Sequence, residues 1–310
     1  MKVLVTGGAG FIGSHLCDRL LELGHSVLCV DNLSTGKKSN LDKAFSYGRL
    51  MEFKEVDVNC FESLEDIFGS YSPEVIYHYA AVVGVKRTIE RSFAVLEDIE
   101  GIKNILNLSL KYKVKKVIYS SSSEVYGEAL DIPTHEESNV NPGLTYAAVK
   151  LIGERYCRSY FDSHNLDVCC LRLFNVYGPR QDSSEYGFVV AIMIKRALEN
   201  QDIIIYGDGS QTRDFTYISD VVNSSIKVLN KKDTRGELIN IGTAEKTSIQ
   251  SLAQLVTSIT KSNSKIKYLP ERTNDILNRC AKIDKLQSIL GYRPKYGLKE
   301  GLEEILRAKS

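Results

Sequence analysis

A five-residue apolar run, "KVLVT" (2–6), runs directly into "GGAGFIG" (7–13), and this junction limits the fold more than any other stretch. The glycines fit two spacings at once, Gly8-x-Gly10-x-x-Gly13 and Gly7-x-x-Gly10-x-x-Gly13. Behind them Ile12, Leu16, Leu20 and Leu23 recur at helical spacing, and Gly24 sits where a helix would stop. A buried strand that turns through glycine into an amphipathic helix is the first half of a βαβ unit. One glycine permits the tight turn, one lets backbone approach a pyrophosphate, and one lets helix and sheet pack closely. The helix N-terminus then presents N–H groups and a positive dipole end to anionic phosphate.

Similar runs follow at "SVLCVD" (26–31), "FKEVDV" (53–58), "EVIYHYAA" (74–81), "KKVIYSS" (115–121), "DVCCLRLF" (167–174) and "ELINIG" (237–242). Helical stretches lie between most of them, as at 91–112 and 146–162, and two more are expected near 187–200 and 247–261. Continuous apolar strands alternating with helices indicate a parallel sheet covered on both faces. Right-handed crossovers make it a doubly wound α/β (Rossmann) fold. After Phe174 the alternation loosens, so the expected division is a dinucleotide-binding domain at 1–174 and a smaller α/β substrate domain at 175–310. Segments near 214–243 are expected to return to the first domain.

Composition narrows the partners. With 40 basic and 39 acidic residues the net charge is +1, which favours neither nucleic acid nor an anionic membrane surface. No run reaches the roughly 18 apolar residues of a membrane span, and the apolar start is too short for a signal peptide. A cytoplasmic protein is expected. The seven cysteines include no C-x-x-C, so buried reduced thiols are expected rather than a metal site.

Asp31 closes the second run, 18 residues after Gly13. A carboxylate there accepts hydrogen bonds from both ribose hydroxyls and repels a 2′-phosphate, so NAD is the expected cofactor rather than NADP. Asp57 and Val58, closing the third run, border the adenine in this reading. Further on, "TYAAVK" sets Tyr146 and Lys150 four residues apart on one helix face. A free tyrosine has a pKa near ~10 and is a poor base at neutral pH. A neighbouring Lys⁺ and the nicotinamide cation both favour phenolate, so the Tyr146 pKa is expected to fall. Ser122, at the end of the run before "SSSSEVYG" (120–127) turns, offers a hydroxyl for the substrate beside that phenolate.

Taken together, "TGGAGFIGSH", "DNLSTG", "HYAA", "SSSSEVYG", "YAAVK", "RLFNVYGPRQ", "GDGSQTRDFTYISDV" and "RTNDI" resemble the extended short-chain dehydrogenase/reductases of the nucleotide-sugar epimerase/dehydratase family. The resemblance runs nearly end to end. It implies that Tyr146 takes the proton of a sugar 4-hydroxyl while carbon 4 passes hydride to NAD⁺, with Lys150 holding the nicotinamide ribose and Ser122 as the catalytic hydroxyl. It extends the cofactor contacts to Gly7, Gly10, Phe11, Ile12, Gly13, Asp31, Asn32, Gly36, Asp57, Val58, Ala80 and Ala81. It implies nucleotide-diphosphate contacts at Asn175, Arg213 and Arg272, with Arg180 beside them. A UDP-linked sugar and a homodimer packed through 91–112 and 146–162 also follow from it. The chain departs from the family at Leu144-Thr145 and Ala147-Ala148-Val149, on either side of the tyrosine.

Three reactions share the 4-keto sugar. Family dehydratases carry Asp-Glu after the catalytic hydroxyl, and this chain has Ser123-Glu124, so no acid protonates leaving water. Family decarboxylases carry Ser-Glu there and an arginine near Arg279, whereas "TRDF" (212–215) resembles the epimerase/dehydratase branch. The expected reaction is 4-epimerisation, with uronate decarboxylation and then 4,6-dehydration as alternatives. A dinucleotide-binding protein without catalysis is a remote fourth, since such proteins commonly lose the tyrosine or lysine kept here. Ser123, Glu124 and Arg279 are therefore expected at the substrate, Arg279 either narrowing the pocket or pairing with a substrate carboxylate.

Overall fold

The structure is a computed structural model that describes residues 1–271 and 276–308. Six parallel strands come first: β1 (Lys2–Thr6), β2 (Ser26–Asp31), β3 (Met51–Glu55), β4 (Val75–His78), β5 (Lys116–Ser122) and β6 (Val168–Leu173). The strand Glu237–Ile241 joins them, giving the order 237–241, β6, β5, β4, β1, β2, β3. Helices α1 (Phe11–Glu22), α2 (Asp42–Phe45), α3 (Phe61–Tyr71), α4 (Val85–Glu90), α5 (Ser92–Lys111) and α6 (Thr145–His164) connect the first six. The chain leaves β1 to one side through β2 and β3, then returns across it to β4. The carboxyl ends of β1 and β4 therefore flank the switch point where such sheets bind ligands.

The strands read as apolar runs because both faces are covered. Val3 and Val5 pack into one core and Leu4 into the other. α1 buries Leu16, Cys17, Leu20 and Leu21 and ends where Gly24 adopts φ +79°. Each such leucine contributes on the order of 1.5–3 kcal/mol by leaving water. The first core continues without a break into the C-terminal part, through Val190, Met193, Leu252, Val256 and Leu302.

Beyond β6, three small sheets form among the described residues. Ile203–Tyr206 pairs in parallel with Ile266–Leu269 and Val176–Tyr177 in parallel with Thr216–Tyr217, whereas Thr212–Arg213 pairs antiparallel with Thr247–Ser248. The first of these pairings was not anticipated from sequence. Strand β3 also differs from its expected span: it starts earlier and stops at Glu55. Asp57 ends it, because its carboxylate accepts the Asn59 N–H at 2.9 Å and its carbonyl the Cys60 N–H at 3.1 Å, turning the backbone out of the sheet. All seven cysteines are free thiols, and only Cys60 is exposed. Among the described residues no helix is long and apolar enough to cross a membrane, and no cluster of His, Cys, Asp or Glu is set to hold a metal.

Candidate active site

The glycine loop is built for close backbone approach. Gly7 has φ +68°, and a Cβ on it would lie 2.6 Å from Ala80 N. A Cβ on Gly13 would lie 2.2 Å from Gly7 O, so α1 sits tight on the loop. Gly10, by contrast, would meet only Gly7 O at 3.1 Å, which leaves its outer side open beside Phe11 and Ile12 at the helix start. No acidic side chain lies in the first turn of α1 to compete with a phosphate.

Asp31 is buried at the end of β2. Its Oδ2 accepts the Ala9 N–H at 3.0 Å and its Oδ1 the Leu33 N–H at 2.8 Å. Burial pushes its pKa up, and the backbone donors oppose that. Each oxygen keeps a second acceptor site for a ribose hydroxyl. Gly36 is required here, because a Cβ would lie 2.9 Å from Asp31 Oδ1. Asn32 donates to Asp57 Oδ2 at 2.9 Å, and the Val58 carbonyl is held by Asn104 at 3.0 Å. The loop after β4 is fixed in turn: Ala80 N–H donates to Thr6 Oγ1 at 3.4 Å, and Ala81 follows it. These residues fit a dinucleotide: an open glycine turn, a helix dipole for the pyrophosphate, and a carboxylate for the ribose.

Ser122, Tyr146 and Lys150 converge beside this crevice. The Ser122 hydroxyl is close enough to the Tyr146 phenol to act on its ionisation. Lys150 is buried, donates to Ser120 O at 2.7 Å, and lies 5.7 Å from the centre of the Tyr146 ring. Burial lowers the Lys150 pKa to about 8, and Asp98 and Glu154 pull it back up. The Tyr146 pKa is raised, not lowered as expected. Burial is the main cause; the Ser122 hydroxyl opposes it, and the charges of Glu124 and Asp98 add to it. The chain's own groups thus hold Tyr146 as a phenol, so lowering its pKa needs a further cation at the site.

Beside Ser122, Glu124 and Arg279 form a two-pronged ion pair, with Arg279 Nη2 at 3.2 Å from Glu124 Oε2. Arg279 is only 3% exposed, so it does not face solvent. Its Nε is buried without a hydrogen-bond partner among the described residues. Burial alone would raise the Glu124 pKa, but the Arg279 charge and hydrogen bond, with the Arg213 charge, hold it low. Arg213 is braced by the carbonyls of Thr212 (2.8 Å) and Ile276 (2.7 Å). Asn175 offers a buried side-chain oxygen without a partner, and Ser123 is buried next to Glu124. Arg180 is turned toward α1, where it donates to Asp18 at 2.7 Å. Arg272 lies outside the described residues.

Sequence reasoning passed over three polar groups. Asp98, on α5, accepts the Val82 N–H at 2.8 Å and is pushed up to about 6 by burial. His78 hydrogen-bonds Thr6 at 2.8 Å and is held neutral, its pKa lowered to about 3 by burial and then by Lys150. Glu154 stands one helical turn beyond Lys150, paired with Arg172 at 2.7 Å. Only Glu154 had a visible signal, its spacing from Lys150.

Comparison with known proteins agrees with this geometry. Residues 3–242 match the NAD dependent epimerase/dehydratase family. A UDP-N-acetyl-alpha-D-glucosaminuronate decarboxylase of Bacillus cytotoxicus is 37% identical, over 99% of this chain and 97% of that one. A UDP-glucose 4-epimerase of Mycolicibacterium smegmatis is 35% identical over the whole of both chains. The crystal structure of a UDP-glucose 4-epimerase from Thermotoga maritima, bound to UDP-glucose, superposes with a TM-score of 0.94 at 37% identity, over 99% of this chain and 98% of that one. The chain is an NAD-dependent member of the NAD dependent epimerase/dehydratase family.

Proposed function

We propose that this protein is an NAD-dependent nucleotide-sugar 4-epimerase acting on a UDP-linked hexose, N-acetylhexosamine or uronate. The observation that carries the reading is the convergence of Tyr146 and Ser122 beside buried Lys150, which donates to Ser120 O and lies 5.7 Å from the centre of the Tyr146 ring. Gly7, Gly10, Gly13 and Asp31 would hold NAD, which supplies a reversible hydride acceptor. Its nicotinamide cation would also favour the phenolate that burial disfavours. Tyr146 then takes the proton of the sugar 4-hydroxyl and later gives it back. Ser122 holds that oxygen in line, and Lys150 stabilises the phenolate. Arg213 suits a diphosphate because its donors form a planar fork. Ser123 supplies no acid for dehydration.

A second reading, uronate decarboxylation, is favoured by one observation: Arg279 is buried at the site with its Nε unpartnered. A substrate carboxylate would supply the missing acceptor. Incubation of the purified protein with UDP-glucose, UDP-N-acetylglucosamine and UDP-glucuronate, followed by NMR of the products, separates the readings. Epimers at carbon 4 are expected. A pentose with carbon dioxide release would replace the epimerase by a decarboxylase, and a keto-deoxy sugar would make it a dehydratase.

A homodimer through α5 and α6 belongs to the same proposal. Phe93 is 83% exposed and Leu96 44% on α5, with Ile152 37% exposed on α6. Single apolar side chains of this size on two adjacent helices suit a helix-to-helix contact. Sedimentation of the wild type at dimer mass, and of Phe93→Glu at monomer mass, is the expected outcome.

A further inference from the structure

Behind the site lies a buried polar chain that the proposed mechanism does not use. It starts at Ser121, next to Ser122. The Ser121 hydroxyl donates to Glu154 Oε1 at 2.5 Å. Glu154 is held by Arg172 through Nε at 2.8 Å and Nη2 at 2.7 Å. The Arg172 guanidinium lies 4.5 Å from the centre of the Tyr126 ring. Tyr126 OH donates to Asn240 Oδ1 at 2.7 Å, and Asn240 Nδ2 donates to Thr134 O at 3.0 Å. Thr134 N–H donates to Cys280 O at 2.8 Å. Cys280 follows Arg279, which grips Glu124, and the Glu124 N–H donates to Ser122 Oγ at 3.2 Å.

The path therefore closes on itself. It leaves Ser122 through its chain neighbour Ser121 and returns to the Ser122 hydroxyl through Arg279 and Glu124. Glu136 braces the ring from inside, its carbonyl accepting from Arg172 Nη1 at 3.1 Å and its Oε1 from the Asn240 N–H at 2.8 Å. Ser121, Tyr126, Glu154, Arg172 and Asn240 are all under 9% exposed, so water cannot take over a broken link cheaply. The ring also joins segments far apart in sequence: β5, α6, β6, the strand 237–241 and the segment that carries Arg279.

We infer that Ser121 and Tyr126 are positioning residues, whose hydroxyls close a buried ring that fixes the catalytic Ser122 against Arg279. Neither hydroxyl touches the reacting atoms. Each acts by setting where Ser122 and Glu124 stand, and small errors in such placement weigh on the chemical step more than on binding. The inference rests on the nucleotide-sugar reading of the site.

The test uses Ser121→Ala and Tyr126→Phe, which remove one hydroxyl each and keep the packing. Each is expected to lower kcat roughly tenfold while leaving KM for the nucleotide sugar and the bound NAD content unchanged. Because both open the same ring, the double variant is expected to lose about tenfold, not the roughly hundredfold product of two independent effects. Single variants within twofold of wild type, multiplicative losses, or a fall in kcat that tracks lost NAD would each overturn the inference. The two failures are distinguishable. A wild-type protein inert toward every nucleotide sugar overturns the functional reading together with the inference. A wild type that turns over, with unchanged single variants, overturns the inference alone.

Discussion

Arg279 and Glu124 meet fork to fork beside Ser122, although they lie 155 positions apart in the chain. The pair gives a buried cation a counter-charge and leaves its Nε–H without an acceptor among the described residues. A buried charge that loses its partner is strongly destabilised, and a substrate carboxylate is the natural replacement. Glu124→Gln should therefore move preference toward uronates. The expected outcome is a rise of roughly tenfold or more in the kcat/KM ratio of UDP-glucuronate to UDP-glucose, equivalent to about 1.4 kcal/mol. Competition between the two sugars measures it, and an unchanged ratio would show that Arg279 does not face carbon 6.

Tyr146→Phe removes the proposed proton acceptor and keeps the ring beside Lys150. General acid–base groups contribute roughly 10²–10⁴-fold, so turnover should fall by that order. The NAD released on denaturation should match wild type, because the glycine loop and Asp31 are untouched. Retained turnover would end the role assigned to Tyr146.

The part of the site made by local sequence was legible before the structure. Gly7 to Gly13 lie on one loop, Tyr146 and Lys150 share one helical turn, and Ser122 ends a strand that its apolar pattern defines. What escaped was set by contacts between distant segments. Nothing near Ile203 signals that it pairs with Ile266, because their runs are 63 residues apart. The outward turn of Arg180 depends on Asp18 in α1, and the raised pKa of Tyr146 depends on burial, which spacing does not report. The end of β3 was misread because Asp57 continues the polar alternation of the strand while its carboxylate makes a turn.

Asp31 ties cofactor choice to the end of β2. Its two oxygens already accept backbone N–H groups and keep room for two ribose hydroxyls. Hydrogen bonds to a charged acceptor are worth about 1.5–3 kcal/mol each, so Asp31→Ala, which loses two, should raise the NAD Kd roughly 10²- to 10⁴-fold. Discrimination against NADP should shrink at the same time, since the repulsion of a 2′-phosphate is gone. Titration of the apoprotein with both cofactors checks both changes, and an unaltered NAD affinity would place the ribose elsewhere.

Asp98 and Lys150 give the site a pH signature whose sign follows from their shifts. Lys150 is depressed from 10.5 to about 8, first by burial, with Asp98 and Glu154 opposing. Its charge costs folding stability below pH 8, and that cost fades as pH rises toward 10.5. Asp98 is raised from 3.8 to about 6, first by burial. Its protonated form is therefore favoured on folding, and the stability this brings is lost as pH rises through about 6. For turnover the charged Lys150 is the useful form, because it supports the Tyr146 phenolate. The kcat/KM profile should fall as pH rises through the Lys150 pKa. Asp98→Asn removes a negative charge that holds that pKa up, so the alkaline limb should begin at lower pH. The inflection near 6 due to Asp98 itself should vanish. Parallel pH profiles of the two proteins decide this, and superimposable curves would mean that Asp98 serves only to hold the Val82 N–H.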